Sequence, residues 1–233
     1  MTTSDETLGM MQPAKAPDRR VRARRKEARP GEILAAASAL FTEKGFAATR
    51  MDDVAQRAGV SKGTLYLYFP SKEELFKALV RSAIVPNVER FAAMAPSFPG
   101  TAADLIRLIV TAVGTITRDP GIGVIPKVLI GEAGNFPDIA KFYADEVIGR
   151  ALGVLAAIID RGVAAGEFRP MVGKHVAPLV IAPLLLMAVW RHSFQPVRPD
   201  LMDPDAVLAN HLDTLLRGLA ADETKDAKTE EKS

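Results

Sequence analysis

Between Gly31 and Val80 the chain sets apolar residues at helical spacing in four short bursts, separated by Gly45, Gly59 and Pro70. That punctuation constrains the fold more than any other feature. Ile33, Leu34, Ala37, Leu40 and Phe41 mark a first helix over Gly31 to Lys44, with Gly45 in the place that favours left-handed backbone. Thr49 stands at the N-cap of a second helix, with Asp52 three residues on, and Met51, Val54, Ala55 and Ala58 form its stripe. Ser61 caps a very short third helix. Its Leu65 and Phe69 face inward, which leaves Lys62, Thr64, Tyr66 and Tyr68 outward. Pro70 stops it, and Ser71 caps a fourth helix with Glu74 at the capping-box position and Leu75, Phe76, Leu79 and Val80 packing back. Two short helices at a glycine turn form a helix-turn-helix. A cation, a hydroxyl and two phenols on one small helix suit a DNA major groove and its flanking phosphates.

Charge distribution adds a second clue. The whole chain carries only +2, yet Lys15, Arg19, Arg20, Arg22, Arg24, Arg25, Lys26 and Arg29 stand against Asp18 and Glu27 alone, directly before the first helix. Pro13, Pro17 and Pro30 bracket this arm and no apolar stripe runs through it, so residues 1–30 read as a disordered basic arm that orders against phosphates or in a minor groove. A solvated charged tail is the plainer alternative. Residues 221–233 read as a mildly acidic disordered tail.

The segment from Gly45-Phe46-Ala47-Ala48-Thr49, through Val54-Ala55-Gln56-Arg57-Ala58-Gly59-Val60-Ser61-Lys62-Gly63-Thr64-Leu65-Tyr66-Leu67-Tyr68-Phe69-Pro70-Ser71-Lys72, to Glu73-Glu74-Leu75 resembles the DNA-binding domain of TetR/AcrR-type transcriptional regulators nearly position by position. The resemblance implies an all-α bacterial homodimer. Its N-terminal helix-turn-helix domain, residues 31–80, would read a palindromic double-stranded operator. A larger C-terminal helical domain, residues 81–220, would bind a small effector, release DNA and dimerise. By the same resemblance Lys62, Gly63 and Thr64 lie nearest base edges, and Tyr66, Tyr68, Thr49 and Lys72 hold phosphates. Ser61 and, from a basic arm more extensive than the family pattern requires, Arg22, Arg24, Arg25 and Arg29 complete the expected DNA-facing set. Repression is the family norm.

Downstream, Pro and Gly clusters divide a helical domain. The fourth helix continues to about Met94 with a kink at Pro86, and Pro96-Ser97-Phe98-Pro99-Gly100 breaks it. Thr101 caps a helix carrying Leu105, Ile109 and Val113 that stops at Asp119-Pro120-Gly121, and a short helix spans about Gly123 to Ile130. Pro137 opens the longest apolar pattern, which runs to Gly162 and Gly166. Asn135-Phe136-Pro137-Asp138-Ile139-Ala140 and Gly166-Glu167-Phe168 are more loosely similar to the ligand domain of the family's efflux-associated branch.

Val176 to Trp190 is the most apolar run, but 15 residues with Pro178 and Pro183 inside fall short of the roughly 20 a bilayer needs, so it reads as a buried helix and no membrane partner is expected. The family resemblance implies that the last two helices, about Gly173 to Phe194 and Pro204 to Leu219, pair with their mates in the homodimer. The stripe Val207, Leu208, Leu212, Leu215, Leu216 and Leu219 fits that pairing or an internal core face equally well. Phe98, Leu105, Ile109, Val113, Leu129, Phe136, Phe142, Tyr143 and Trp190 are the candidate pocket walls. With few charges among them, a hydrophobic or aromatic effector is expected.

No catalytic constellation rises above background, and no cofactor is expected. His175, His192 and His211 lack metal-ligand spacing, and Asp52, Asp53, Glu73 and Glu74 suit helix first turns better than acid and base catalysis. The absence of cysteine excludes disulfides and Cys-based zinc sites and fits a reducing cytoplasm. The N-terminus has no apolar run of the secretory kind, so a cytoplasmic protein is expected. Two other classes stay open: an effector-independent architectural DNA-binding protein using the arm, and an enzyme or carrier using the helical domain as a substrate pocket.

Overall fold

The computed structural model describes residues 19–221, with side chains from residue 29 onward. The fold is all-α: α1 (Arg19–Lys44), α2 (Met51–Arg57), α3 (Lys62–Tyr68), α4 (Lys72–Ala83), α5 (Val85–Met94), α6 (Ala102–Ile116), α7 (Pro120–Glu132), α8 (Pro137–Tyr143), α9 (Gly149–Ala164), α10 (Gly173–Ser193) and α11 (Pro204–Leu219). Among the described residues the only β pairing is an isolated bridge between Phe168 and Ala220.

Local chemistry explains most boundaries. Gly45 and Gly59 take φ of 79° and 64°, which a Cβ would strain. Ser61 and Ser71 accept from the N–H groups of Thr64 and Glu74, and Thr101 with Asp104 closes a full capping box on α6. At α4 the box is only half made, because the Glu74 carboxylate pairs with Lys77 at 2.9 Å.

Four expectations are corrected. First, α1 begins at Arg19, not Gly31, so the described part of the basic arm is helical. Arg, Ala, Lys and Glu are strong helix formers, and Pro30 sits inside the helix, where it removes one N–H without ending the run. The remainder of the arm, residues 1–18, and all but the first residue of the tail, residues 222–233, lie outside the described residues. Second, the N-cap of α2 is Arg50, with no side-chain cap, and not Thr49. Third, Asp119-Pro120-Gly121 starts a helix: Asp119 Oδ1 accepts from the N–H groups of Gly121 and Ile122 at 2.8 and 3.3 Å, and Pro120 occupies the first turn, where its missing N–H costs nothing. Fourth, the long pattern from Pro137 is interrupted by a π-turn over Ala144–Ile148, where the Gly149 N–H reaches the carbonyl of Ala144.

Two apolar cores form. One joins α1–α4 to α7 and α8 through Val124, Ile125, Val128, Leu129, Ile139 and Phe142. Helices α1–α4 therefore share their core with helices of the C-terminal part. The other gathers Phe91, Leu105, Ile106, Ile109, Leu155, Ile158, Ile159, Val180, Leu184 and Leu219 around α10, which packs on α6, α7, α9 and α11.

As a 21-residue helix α10 is long and apolar enough to cross a membrane by composition, so the length objection raised from sequence does not hold. Val180, Leu184 and Met187 bury one of its faces against the chain's own core. Leu179 and Leu186 stand 60% and 53% exposed on another. On α11, Leu208, Leu212, Leu215 and Leu216 pack half-buried against the second core.

Candidate functional site

The surface of α3 is built around one buried anchor, Leu65, at 0% exposure. Ser61, Lys62 and Gly63 are exposed, Thr64 and Tyr68 are half-buried, and Tyr66 and Leu67 are exposed at 41% and 78%. A Cβ added to Gly63 would meet nothing within 4 Å, so the backbone there lies open to close approach. Lys62 bridges to Asp52 of α2 at 2.8 Å, and that hydrogen bond, with the carboxylate's charge, raises its pKa. Thr64 Oγ1 lies 2.8 Å from Ser61 Oγ. Tyr68 packs against the first core. The sequence reading missed Leu67. Its signal was a residue left unassigned between two inward positions.

Two expected phosphate ligands sit elsewhere. Thr49 is 1% exposed and its hydroxyl donates to the carbonyl of Gly45 at 2.7 Å, so it closes the α1–α2 turn from inside. Lys72 Nζ donates to the carbonyls of Phe46, Ala47 and Thr49 at 2.7, 3.1 and 3.1 Å and lies 4.5 Å from the centre of the Phe46 ring. All three ammonium donors are thereby used, and desolvation lowers its pKa. Lys72 is a staple for the α1–α2 turn. Replacing it with Met is expected to cost about 1–3 kcal/mol, read as a lower urea midpoint with unchanged helical content. A shift confined to DNA affinity would contradict this role. Of the arm residues, the side chains of Arg22, Arg24 and Arg25 lie outside those described, and Arg29 is exposed.

Within the C-terminal helices lies a cavity of about 170 Å³. Its walls come from α5 (Asn87, Val88, Phe91), α6 (Ile109, Val113, Ile116), α7 (Ile122, Pro126), Tyr143 and Val147 at the π-turn, α9 (Ala151, Val154, Leu155) and α10 (Ile181, Leu184, Leu185, Ala188), with Ile84 and Thr117 completing it. Of the expected walls, Ile109, Val113 and Tyr143 are brought together here. The other six are not. Leu105 and Phe98 pack in the second core, and Leu129 packs in the first. Phe136 stands edge-on to Phe46 at 5.1 Å, Phe142 lies under the Arg81 guanidinium at 4.6 Å, and Trp190 packs on Phe194 at 5.2 Å.

Residues 33–79 match the family described as bacterial regulatory proteins, tetR family, and residues 100–207 match the tetracyclin repressor-like C-terminal domain. The chain belongs to the TetR family. It is 42% identical over 81 residues to the HTH-type transcriptional activator FasR of Mycolicibacterium smegmatis, covering 35% of this chain and 36% of that one. It is 29% identical over 143 residues to the HTH-type transcriptional repressor KstR2 of Mycobacterium tuberculosis, covering 61% and 70%. The chain spans about a third of the length of the curated relatives it matches at over 40% identity. Among solved structures, the SmeT–triclosan complex aligns with a TM-score of 0.69 at 22% identity over 84% of this chain and 93% of that one. That similarity is one of fold.

In this TetR-family chain the cavity and the N-terminal helices α1 and α4 meet through α7 and the π-turn. Ser38 Oγ on α1 donates to the carbonyl of Gly121 at 2.9 Å, one residue before the cavity-lining Ile122. Arg81 on α4 pairs with Glu146 of the π-turn at 3.1 Å, beside the cavity-lining Val147. Among the described residues no three His, Cys, Asp or Glu side chains cluster to hold a metal.

Proposed function

We propose that this chain is a cytoplasmic, ligand-responsive transcriptional repressor that binds a palindromic operator as a homodimer and is released by a small hydrophobic effector. The observation that carries the reading is the double role of α7: Ile122 and Pro126 wall the cavity while Gly121, in the same first turn, is held by Ser38 of α1. A ligand that displaces α7 moves α1. Because a dimer reads two half-sites only when its α3 helices stand roughly 34–36 Å apart, a small displacement suffices to lose register. An effector preferring the released conformation by a few kcal/mol empties the operator. The exposed face of α10, with Leu179 and Leu186, supports pairing with a second copy.

Selection of genomic fragments by the full chain, then footprinting at two salt concentrations, tests the reading. A short protected palindrome is the expected result. Binding without sequence preference would instead favour an architectural protein that relies on its basic arm. Deleting residues 1–29 is expected to flatten the dependence of log K on log [salt] by about 0.9 for each phosphate contact removed. An unchanged slope would mean the arm stays off the DNA.

A further inference from the structure

The cavity walls carry three polar side chains, Asn87, Thr117 and Tyr143, and no group ionised at neutral pH. Two of the three are already committed. Asn87 Nδ2 donates to the carbonyl of Ala83 at 3.0 Å, and its Oδ1 accepts from Arg90 at 3.2 Å. Thr117 Oγ1 lies 3.0 and 3.1 Å from the carbonyls of Val113 and Gly114 and donates back into its own helix. Tyr143 makes no hydrogen bond among the described residues. Burial pushes its pKa up to about 12, so the phenol keeps its proton at any physiological pH and remains a donor.

Resting on the reading of this cavity as the effector site, we infer that the effector is a compact, uncharged ring compound bearing a hydrogen-bond acceptor that the Tyr143 hydroxyl grips. The Tyr143 hydroxyl is solvent-accessible, so a ligand carbonyl or ether oxygen takes the place of water as its acceptor, whereas a hydrocarbon of the same shape strips it of one. An acid or an amine gains nothing comparable, since no wall residue offers a countercharge and desolvation opposes its entry. Size points the same way: about 170 Å³ is close to the roughly 150 Å³ of an engineered cavity that takes up benzene. Tyr143 closes α8 immediately before the π-turn, whose Glu146 holds Arg81 of α4. A ligand on that hydroxyl therefore acts at the end of the segment that contacts the DNA-reading domain.

Three probes of one shape separate the possibilities: acetophenone (neutral, with an acceptor), ethylbenzene (no acceptor) and benzoate (anionic). Their binding to the full chain is measured by ligand-observed NMR titration. Acetophenone is expected to bind about tenfold more tightly than ethylbenzene, with benzoate weakest. Tyr143→Phe is expected to bring acetophenone to the level of ethylbenzene and leave ethylbenzene unchanged. Benzoate binding as tightly as acetophenone, equal affinities for the two neutral probes, or no binding by any probe would each overturn the inference. The comparison on the unsubstituted chain stands even if the variant folds poorly. Operator release is scored separately: acetophenone that binds in this order yet leaves the operator occupied would refute the cavity's regulatory role and leave its ligand chemistry standing.

Discussion

Phe46→Ala is expected to destabilise the chain by about 3–5 kcal/mol, the usual cost of emptying a buried aromatic site. Phe46 is 1% exposed and sits where four parts of the fold meet. Its ring lies 5.3 Å from Phe41 of α1, 5.5 Å from Phe76 of α4 and 5.1 Å from Phe136 at the N-cap of α8, with Lys72 Nζ 4.5 Å from its centre. Tilted and edge-on pairs of this kind add about 0.5–1.5 kcal/mol each beyond the area they bury. Against a total stability of about 5–15 kcal/mol, the loss is a large share, and it falls on the joint between the helix-turn-helix domain and the C-terminal helices. Phe46→Leu, which keeps most of the volume, is expected to cost less than about 1.5 kcal/mol. Urea melts followed by circular dichroism check both. A Leu variant as stable as the unsubstituted chain would mean the ring contacts contribute nothing beyond bulk, and equal costs for the two variants would mean that ring geometry, not volume, carries the site.

The contrast between Phe46 and Lys72 illustrates what a single sequence makes legible. Caps and breaks depend on residues within one turn, so Ser61, Ser71 and Thr101 could be read directly. Three-dimensional partners could not. Lys72 follows a cap serine and looks like a solvated lysine, yet its ammonium is spent on carbonyls some 25 residues earlier. Thr49 has the composition of an N-cap but turns inward, because its hydroxyl finds the carbonyl of Gly45 first. The π-turn at Ala144–Ile148 slips the register of an otherwise continuous pattern, and no residue in it advertises the extra step.

Cavity walls were the least legible part for a related reason. Helical periodicity tells which side chains face inward, but core and cavity residues share that face. Leu105 and Ile109 lie one turn apart on α6; the first fills the second core at 0% exposure, while the second reaches the chamber. Only the packing of α5, α9 and α10 around them decides which is which. The α5 contribution, Asn87, Val88 and Phe91, was invisible for want of any pattern distinguishing a lining residue from a packing one.

Leu67→Asp is expected to lower operator affinity at least about 100-fold with little change in melting temperature, because an uncompensated carboxylate facing phosphates costs several kcal/mol. The stability side follows from exposure: Leu67 is 78% exposed, so little packing is lost with it. The affinity side follows from position. Leu67 lies one helical turn beyond Gly63 and next to Tyr66, and these two neighbours are the only exposed large apolar side chains described between residues 29 and 80. If α3 enters the major groove, its exposed leucine has one apolar feature to meet there, the thymine C5-methyl group. Leu67→Ala should therefore weaken binding more modestly, about tenfold, and chiefly on operators carrying an A·T pair at the contacted position. Replacing that thymine with uracil removes the methyl alone, and it should weaken the unsubstituted chain while leaving Leu67→Ala indifferent. If Leu67→Asp binds the operator as well as the unsubstituted chain, α3 does not enter the groove by this face. If it loses affinity while uracil substitution has no effect at any position, Leu67 lies against the sugar-phosphate backbone instead.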